Sequence, residues 1–109
     1  YFSSIHSGVV KPWKRHCRMT LNLVVINGLI RFVVHDDRPS STTLGVTAEY
    51  RIGLSENYSR LSISPGLWMA FQGLGQCTSL LLNVADMTHD PSEAERGGLD
   101  RFSFDWSTQ

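Results

Sequence analysis

The sequence lacks the features that would place it in several large classes of protein. Its 109 residues contain no apolar run near the roughly 20 residues that a membrane-spanning helix needs. Ten Lys and Arg residues balance ten Asp and Glu residues, so no basic excess predicts binding to nucleic acid or to a membrane surface. A chain of this length has room for one domain and one core. We therefore expect a single domain, residues 1–109, with neither nucleic acid nor membrane as partner.

Cysteine and histidine are few and scattered. Cys17 and Cys77 show no C-x-x-C spacing, so we expect two reduced thiols packed as small apolar residues, although a disulfide stays open. The histidines lie singly on different segments and not in the pairs that metal sites use: His6, His16, His35 and His89. We predict no metal and no cofactor. No secretory signal is visible, which favours a cytoplasmic protein, and Tyr1 leads straight into a strand-like run, so we expect the natural N-terminal segment to be missing.

Short runs of Val, Ile, Leu and aromatic residues, separated by turn residues, dominate the chain. This pattern is typical of a β-sandwich or barrel. Asn27-Gly28 divides Leu21–Asp36 into two such runs and predicts a hairpin with a type I′ turn. Further strands are predicted at Val9–Arg18, Tyr50–Leu54, Tyr58–Ile63, Leu67–Leu74 and Cys77–Ala85, with Gly75-Gln76 joining the last two. The expected core comprises Leu23, Val25, Ile30, Phe32, Val34, Ile63, Phe71, Leu80 and Leu82.

One helical signal is present, in Asp90–Arg96. Asp90 suits an N-cap, Pro91 suits the first helical position, and Glu93 completes a pattern similar to a capping box. Gly97 would end the helix. We expect a turn or two of helix packed outside the sheets.

The strand Val9–Arg18 carries a cluster of candidate site residues. Period-two alternation places Lys14, His16 and Arg18 on one face and Trp13 on the other. If the first face points into the barrel, it combines a titratable base with cations that suit a diphosphate. In the other interpretation, Lys14 and Arg18 are solvated and His16 bonds to a neighbouring strand, because buried unpaired cations are costly. The acidic residues that could partner these groups are Asp36, Asp37 and Asp86.

Several aromatic side chains are candidates for stacking on a nucleobase, since an aromatic face accepts any base. They are Trp13, Tyr50, Tyr58, Trp68 and Phe71. Packing in the core is the more common role of such residues in a small β domain.

Five segments, taken in order, resemble the dTDP-4-dehydrorhamnose 3,5-epimerase family of sugar-nucleotide epimerases. Trp13–His16 (WKRH) falls where that family carries its catalytic histidine, and NGLIRFVVHDDR is similar to its Gly-led strand that ends in Asp-x-Arg. The remaining matches are SSTTLG, ISPGLWMAF and LLLNVADMTHDP, which begin at Ser40, Ile63 and Leu80. The resemblance implies an all-β, cupin-like jelly roll with one short peripheral helix, and it implies a homodimer.

The resemblance also implies a function. It predicts an epimerase or isomerase acting on a 4-keto-6-deoxy sugar nucleotide, with His16 as the base that removes a proton next to the carbonyl. Lys14 would stabilise the enolate. The expected substrate-binding residues are Trp13, Arg18, Asn22, Tyr58 and Trp68.

The chain departs from the family at two further catalytic positions. The family's lysine falls on Leu21 or Asn22, and its proton-returning tyrosine falls on Leu81 or Leu82. Two alternatives to the enzyme follow: a nucleotide-sugar or carbohydrate binding domain that has lost catalysis, and a jelly roll that serves mainly as a dimerisation scaffold.

Overall fold

The computed structural model describes residues 1–88 and 90–107 as two antiparallel β-sheets packed face to face. The strands are β1 Phe2–Ile5, β2 Val10–His16, β3 Leu21–Asn27, β4 Leu29–His35, β5 Thr47–Gly53, β6 Leu61–Ile63, β7 Trp68–Leu74, β8 Ser79–Asn83 and β9 Ala94–Arg96. One sheet has four strands in the order β1-β8-β3-β6, and the other has five in the order β5-β4-β7-β2-β9. The predicted all-β jelly roll is confirmed.

The main core lies between the two sheets and draws side chains from both. Its buried members are Ile5, Met19, Leu21, Leu23, Val25, Ile30, Phe32, Ile52, Ile63, Met69 and Leu81. Five of the predicted core residues are among them, and two more, Val34 and Phe71, are half-buried against it. Alternation along β4 accounts for this arrangement, since Ile30 and Phe32 face the opposite sheet while Val33 faces outward.

The prediction for β8 is wrong by one residue. Leu81 is the buried leucine, with 4% of its surface exposed, whereas Leu80 and Leu82 are only half-buried. A one-residue change of register moves every side chain of a strand to the other face of its sheet. Because three consecutive leucines occupy this strand, the apolar pattern contains no alternation that could have selected the buried one.

The prediction of a hairpin at Asn27-Gly28 is also wrong. β3 pairs with β6 and β8, whereas β4 pairs with β5 and β7, so the chain crosses from one sheet to the other at Gly28. Gly28 has a φ of 86° and lies so close to Ser79 that a Cβ atom at this position would collide with it. The Ser79 hydroxyl accepts from Leu29 N at 3.0 Å and donates to Leu29 O at 3.1 Å, which fixes this corner. Gly75-Gln76 likewise joins strands of different sheets.

The predicted helix at Asp90–Arg96 is replaced by a 3₁₀ turn at Pro91–Glu93 and by β9. Asp90 does cap the turn, since its side chain accepts from Ser92 N at 3.0 Å. β9 then pairs with β2 and satisfies backbone groups that β2 would otherwise leave free at its edge of the sheet. That pairing outweighs the weak helical preference of a three-residue segment.

A second apolar cluster covers the outer face of the five-stranded sheet. Trp13, Val33, Trp68 and Ala70 are buried there. Phe102, Phe104 and Trp106 pack over them from a segment that follows a 3₁₀ turn at Leu99–Arg101. The side of β2 that carries Trp13 is therefore part of the packed structure, and only its opposite side is available for a site between the sheets.

Three further findings concern features that the sequence raised. Cys17 and Cys77 are unpaired, but both are exposed, so the expectation that they pack as apolar residues is wrong. Over the described ranges, no helix has the length and apolar character needed to span a bilayer. Within the same residues, no three His, Cys, Asp or Glu side chains converge to form a metal site, and His89 lies outside them.

Candidate active site

A cleft with a volume of about 470 Å³ lies between the two sheets. Strands of both sheets contribute to it: β1, β3 and β8 from the four-stranded sheet and β2, β7 and β9 from the five-stranded sheet. Its lining includes Tyr1, Lys11, Lys14, His16, Leu21, Leu23, Met69, Phe71, Leu81 and Arg96. The inward face of β2 thus brings Lys14 and His16 into one cavity, as alternation along the strand predicts.

His16 is hydrogen-bonded to a buried carboxylate. Its Nδ1 contacts Oε1 of Glu93, and the two side chains are only 11% and 1% exposed. The other carboxylate oxygen of Glu93 accepts from the backbone N–H groups of Arg18 at 3.0 Å and Met19 at 3.2 Å. The turn that ends β2 therefore holds Glu93, and Glu93 in turn holds the imidazole ring.

Hydrogen bonding keeps Glu93 ionised. Burial by itself would raise the pKa of Glu93, but the hydrogen bonds from His16 and from the amides of Arg18 and Met19 outweigh it and lower the pKa to about 2. An ionised carboxylate only accepts hydrogen bonds, so Nδ1 of His16 carries the proton. Nε2 is then the nitrogen left to accept a proton when the ring is neutral, which is the arrangement that a general base requires.

Two cations lie beside this pair on the same wall of the cleft. Lys14 on β2 and Arg96 on β9 are direct partners across the two strands. Burial, and next the charge of Arg96, lower the pKa of Lys14, while the charge of Glu93 partly opposes them. Among the described residues, neither side chain makes a hydrogen bond or a salt bridge within 4.0 Å to an acidic group, so both are able to bind an anionic ligand.

The floor of the cleft is apolar, and the facing wall combines three leucines with the polar residues Tyr1, Ser3 and Asn83. Leu21, Leu23 and Leu81 come from the four-stranded sheet, and Met69 and Phe71 come from β7. These apolar side chains exclude water and lower the local dielectric constant, which strengthens the interaction of a bound anion with Lys14 and Arg96.

The other residues expected at the site lie elsewhere. Arg18 is exposed just beyond β2 and pairs with Asp90 at 3.3 Å. Trp13 borders the cleft with its strand, but its indole packs on the outer face of the sheet, against Phe102 with ring centroids 5.0 Å apart. Trp68 is buried in the same cluster and donates from Nε1 to Asp37 at 3.0 Å.

Asn22 and Tyr58 also lie outside the lining of the cleft. Asn22 donates to Val84 O at 3.1 Å and accepts from the Ser62 hydroxyl, so it connects strands of the four-stranded sheet. Tyr58 is 64% exposed in the connection between β5 and β6. Of the seven residues expected at the site, His16 and Lys14 line the cleft and Trp13 borders it, whereas the other four lie outside its lining.

None of the three expected acidic partners contacts His16. Asp36 binds the Arg38 guanidinium at 2.9 Å, and Asp37 binds Arg15 and Trp68. Asp86 accepts from the backbone of Thr20 at 3.0 Å. Glu93 and Arg96 were not expected at the site because the pattern of Asp90–Arg96 predicts a helix, and no alternation in Ser92–Arg96 indicates the strand β9.

Comparisons with known proteins agree with this fold and cleft. No protein-family model matches the sequence. The chain superposes on the crystal structure of a dTDP-sugar isomerase from Desulfovibrio desulfuricans with a TM-score of 0.95 and 36% identity, over 100% of this chain and 71% of the other. The chain belongs to the dTDP-4-dehydrorhamnose 3,5-epimerase family. The predicted membership of this sugar-nucleotide epimerase family is therefore confirmed.

Two other proteins are similar to this chain over part of their own length. The probable low-salt glycan biosynthesis epimerase of Haloferax volcanii is 32% identical over 91 residues, which are 83% of this chain and 58% of that protein. The chain therefore spans less than two thirds of the length of this curated relative. A Legionella pneumophila 3,5-epimerase solved with dTDP-4-keto-L-rhamnose has a TM-score of 0.76 over 88% of this chain and 51% of its own, but at 17% identity it shows the shared fold alone.

Proposed function

We propose that this chain acts as a sugar-nucleotide epimerase or isomerase on a 4-keto-6-deoxy sugar nucleotide. His16 removes the proton next to the keto group, and Glu93 holds the ring in the required tautomer and stabilises the imidazolium that forms. The single observation that carries the proposal is the buried His16–Glu93 pair at the wall of a cleft large enough for a ligand.

The cations on the same wall support an anionic substrate. Proton removal next to a carbonyl places negative charge on oxygen, and a sugar nucleotide carries a diphosphate, so both charges favour a site that contains Lys14 and Arg96. The similarity to the Desulfovibrio desulfuricans dTDP-sugar isomerase, at 36% identity, makes a dTDP-sugar the first choice of substrate class here.

A second candidate function is a domain that binds a nucleotide sugar without converting it. The observation that favours it is the presence of Leu21 and Leu81 in the wall opposite His16. The resemblance places the family's lysine on Leu21 or Asn22 and its tyrosine on Leu81 or Leu82, and a leucine at either place cannot carry a proton. Leu81 lines the cleft, whereas Leu82 faces away from the core, so of this pair only Leu81 could contact a ligand.

One experiment separates the two functions. The protein is incubated with dTDP-4-keto-6-deoxyglucose in deuterated water, and the sugar is analysed by NMR for deuterium at C3 and C5. Calorimetry with dTDP reports binding in parallel. Exchange supports the enzyme, binding without exchange favours the binding domain, and the absence of both contradicts the proposed substrate class.

We also propose that the protein is a homodimer. β5 and β9 lie at the edges of the five-stranded sheet and β1 and β6 at the edges of the other, and edge strands are commonly covered by a partner. Light scattering at micromolar concentration tests this, and a monomer mass would overturn it. The cytoplasmic location stays a prediction.

A further inference from the structure

One polar side chain in the wall formed by the four-stranded sheet lacks a partner for its donor. Asn83 ends β8, lines the cleft and is only 3% exposed. Over the described residues, its Nδ2 is one of three buried side-chain nitrogens without a hydrogen-bond partner, and the other two belong to Trp13 and Trp106 of the outer cluster. Buried amide groups are normally paired, because an unpaired donor destabilises the fold. An unpaired donor in the wall of a cleft therefore indicates a partner that arrives with a ligand.

The rest of Asn83 is fixed by the neighbouring strands. Its Oδ1 accepts from the backbone N–H of Asn22 at 3.2 Å. Its backbone N–H donates to Tyr1 O at 2.9 Å, and its backbone oxygen accepts from Tyr1 N at 2.8 Å. Turning the amide over would place Nδ2 against the N–H of Asn22, donor against donor, so the oxygen must face β3. The NH2 group is therefore the end of the side chain that is left to bind a ligand, and it is held in position before any ligand binds.

The surroundings of Asn83 select the kind of acceptor that it can bind. Its neighbours on the wall are Leu23, directly across on β3, and Leu81, two residues earlier on β8. The cations that suit a diphosphate, Lys14 and Arg96, lie on the facing wall. Against leucines, an uncharged hydroxyl or carbonyl oxygen loses far less hydration energy than a phosphate oxygen does. A neutral amide at this place therefore suits the sugar of a sugar nucleotide and not its diphosphate.

We propose that Asn83 donates from Nδ2 to an uncharged oxygen of the sugar, a hydroxyl or the keto oxygen, and so selects ligands that carry one. This inference rests on the proposed function and adds to it a sugar contact on the wall that faces His16. A few polar groups in a mostly apolar pocket commonly fix the orientation of a ligand, and a donor that a poorer ligand leaves unpaired counts against that ligand. Asn83 then holds the sugar from one wall, and the cations of the other wall hold the diphosphate.

Calorimetry with two probes tests the contact. dTDP-glucose carries the sugar but no keto group, so the proposed reaction does not convert it, and dTDP lacks the sugar. Asn83→Ala should weaken the binding of dTDP-glucose by about 3- to 10-fold, the contribution of one neutral hydrogen bond, and should leave the binding of dTDP unchanged. Asn22→Ala is the matched control, because Asn22 is an amide of the same sheet that lies outside the lining of the cleft and connects its strands. This variant should bind both probes like wild type.

The side-chain amide itself provides a measurement that needs no variant. Proton–nitrogen correlation NMR of the wild-type protein reports on the NH2 group of Asn83 once the chain is assigned. Its resonances should shift on addition of dTDP-glucose and clearly less on addition of dTDP, because only the first probe brings a sugar oxygen to Nδ2. The NH2 resonances of Asn22 should stay in place with both probes, since this group already donates to Val84 O at 3.1 Å. If thermal melting shows that Asn83→Ala does not fold, the wild-type spectrum decides.

The outcomes separate this inference from the proposed function. Equal weakening of both probes would place the contact on the nucleotide, and undiminished binding of dTDP-glucose by Asn83→Ala would remove the contact, so either result overturns the inference. Asn83 resonances that do not move with dTDP-glucose overturn it too. Deuterium exchange into dTDP-4-keto-6-deoxyglucose by the wild-type protein is measured independently, and in each of these cases it leaves the proposed function standing. A wild-type protein that binds neither probe overturns the inference, and without exchange it overturns both.

Discussion

The two walls of the cleft are built from different chemistry. The wall formed by β2 and β9 carries Lys14, His16 and Arg96, with Glu93 buried behind them, whereas the wall from the four-stranded sheet presents Leu21, Leu23 and Leu81. The first wall is able to move protons and bind anions, whereas the leucines of the second wall are able only to exclude water. Under the proposed function, proton transfer depends on one short edge of one sheet, and the leucines of the other sheet lower the local dielectric constant.

The largest difference in stability between the two walls is expected from the buried carboxylate of Glu93. Glu93→Ala removes the acceptor of His16 Nδ1 and of the amides of Arg18 and Met19, so it should lower the free energy of unfolding by roughly 3–5 kcal/mol. Glu95→Ala, two residues along and half-exposed in its pair with Arg15, should cost about 1 kcal/mol or less. Urea denaturation measures both losses. Equal losses would contradict the assignment of Glu93 as the buried carboxylate that holds His16 and the turn after β2.

The apolar wall should respond through packing and not through charge. Leu81→Ala leaves a cavity beside the core and should cost about 2–5 kcal/mol of unfolding free energy. Leu82→Ala on the opposite face of the same strand should cost clearly less, about 1 kcal/mol. Thermal and urea unfolding compare the pair. A larger loss at Leu82 would show that the register of β8 is shifted by one residue.

A smaller effect is expected at Arg96. Removal of its charge by Arg96→Gln should weaken the binding of dTDP by about 10-fold, because a hydrogen bond to a charged group contributes about 1.5 kcal/mol or more. Arg60→Gln is the matched control, since Arg60 is exposed and lies outside the lining of the cleft. Calorimetry measures both affinities. Equal affinity for the two variants would exclude Arg96 from the anion site.

A separate effect is a dependence of stability on acid. The pKa of Glu93 is lowered from 4.5 to about 2, so the stability that its charge contributes is fully present above pH 4.5 and is lost as the pH falls through 2. The difference in unfolding free energy between wild type and Glu93→Gln should therefore be fully present at about pH 5 and should narrow as the pH falls from 4.5 toward 2. Urea titrations over this range provide the measurement. A difference that stays constant down to pH 2 would mean that Glu93 is not ionised in the folded protein.

The fold was predictable from the sequence where patterns repeat over several residues. Runs such as Leu21–Asn27 and Leu29–His35 have the composition of strands, and five ordered segments resemble one family. The pairing of those strands was less predictable. Asn27-Gly28 has the composition of a hairpin turn, but the close approach of Ser79 and the partners of β3 and β4 make it a corner between sheets. Local turn chemistry does not encode which distant strand will pair.

The site was predictable only in part for a similar reason. Lys14 and His16 share a face because alternation is a local rule, and the sequence contains it. Glu93 lies 77 residues from His16 along the chain, and only the pairing of β9 with β2 brings the two together. Trp13 and Trp68 were expected to bind substrate, but they pack in the outer cluster. The segment around Phe102 covers them there, and the sequence pattern did not reveal that cover.

The measurement that tests the account most directly is deuterium exchange into the keto sugar by His16→Asn. Wild type should exchange, and His16→Asn should lose roughly 100- to 10,000-fold in rate. His6→Asn should exchange like wild type, because His6 is exposed and bonded to Thr78. All three proteins should bind dTDP. Exchange by His16→Asn at the wild-type rate would contradict the central claim that the charged wall of the cleft moves the proton.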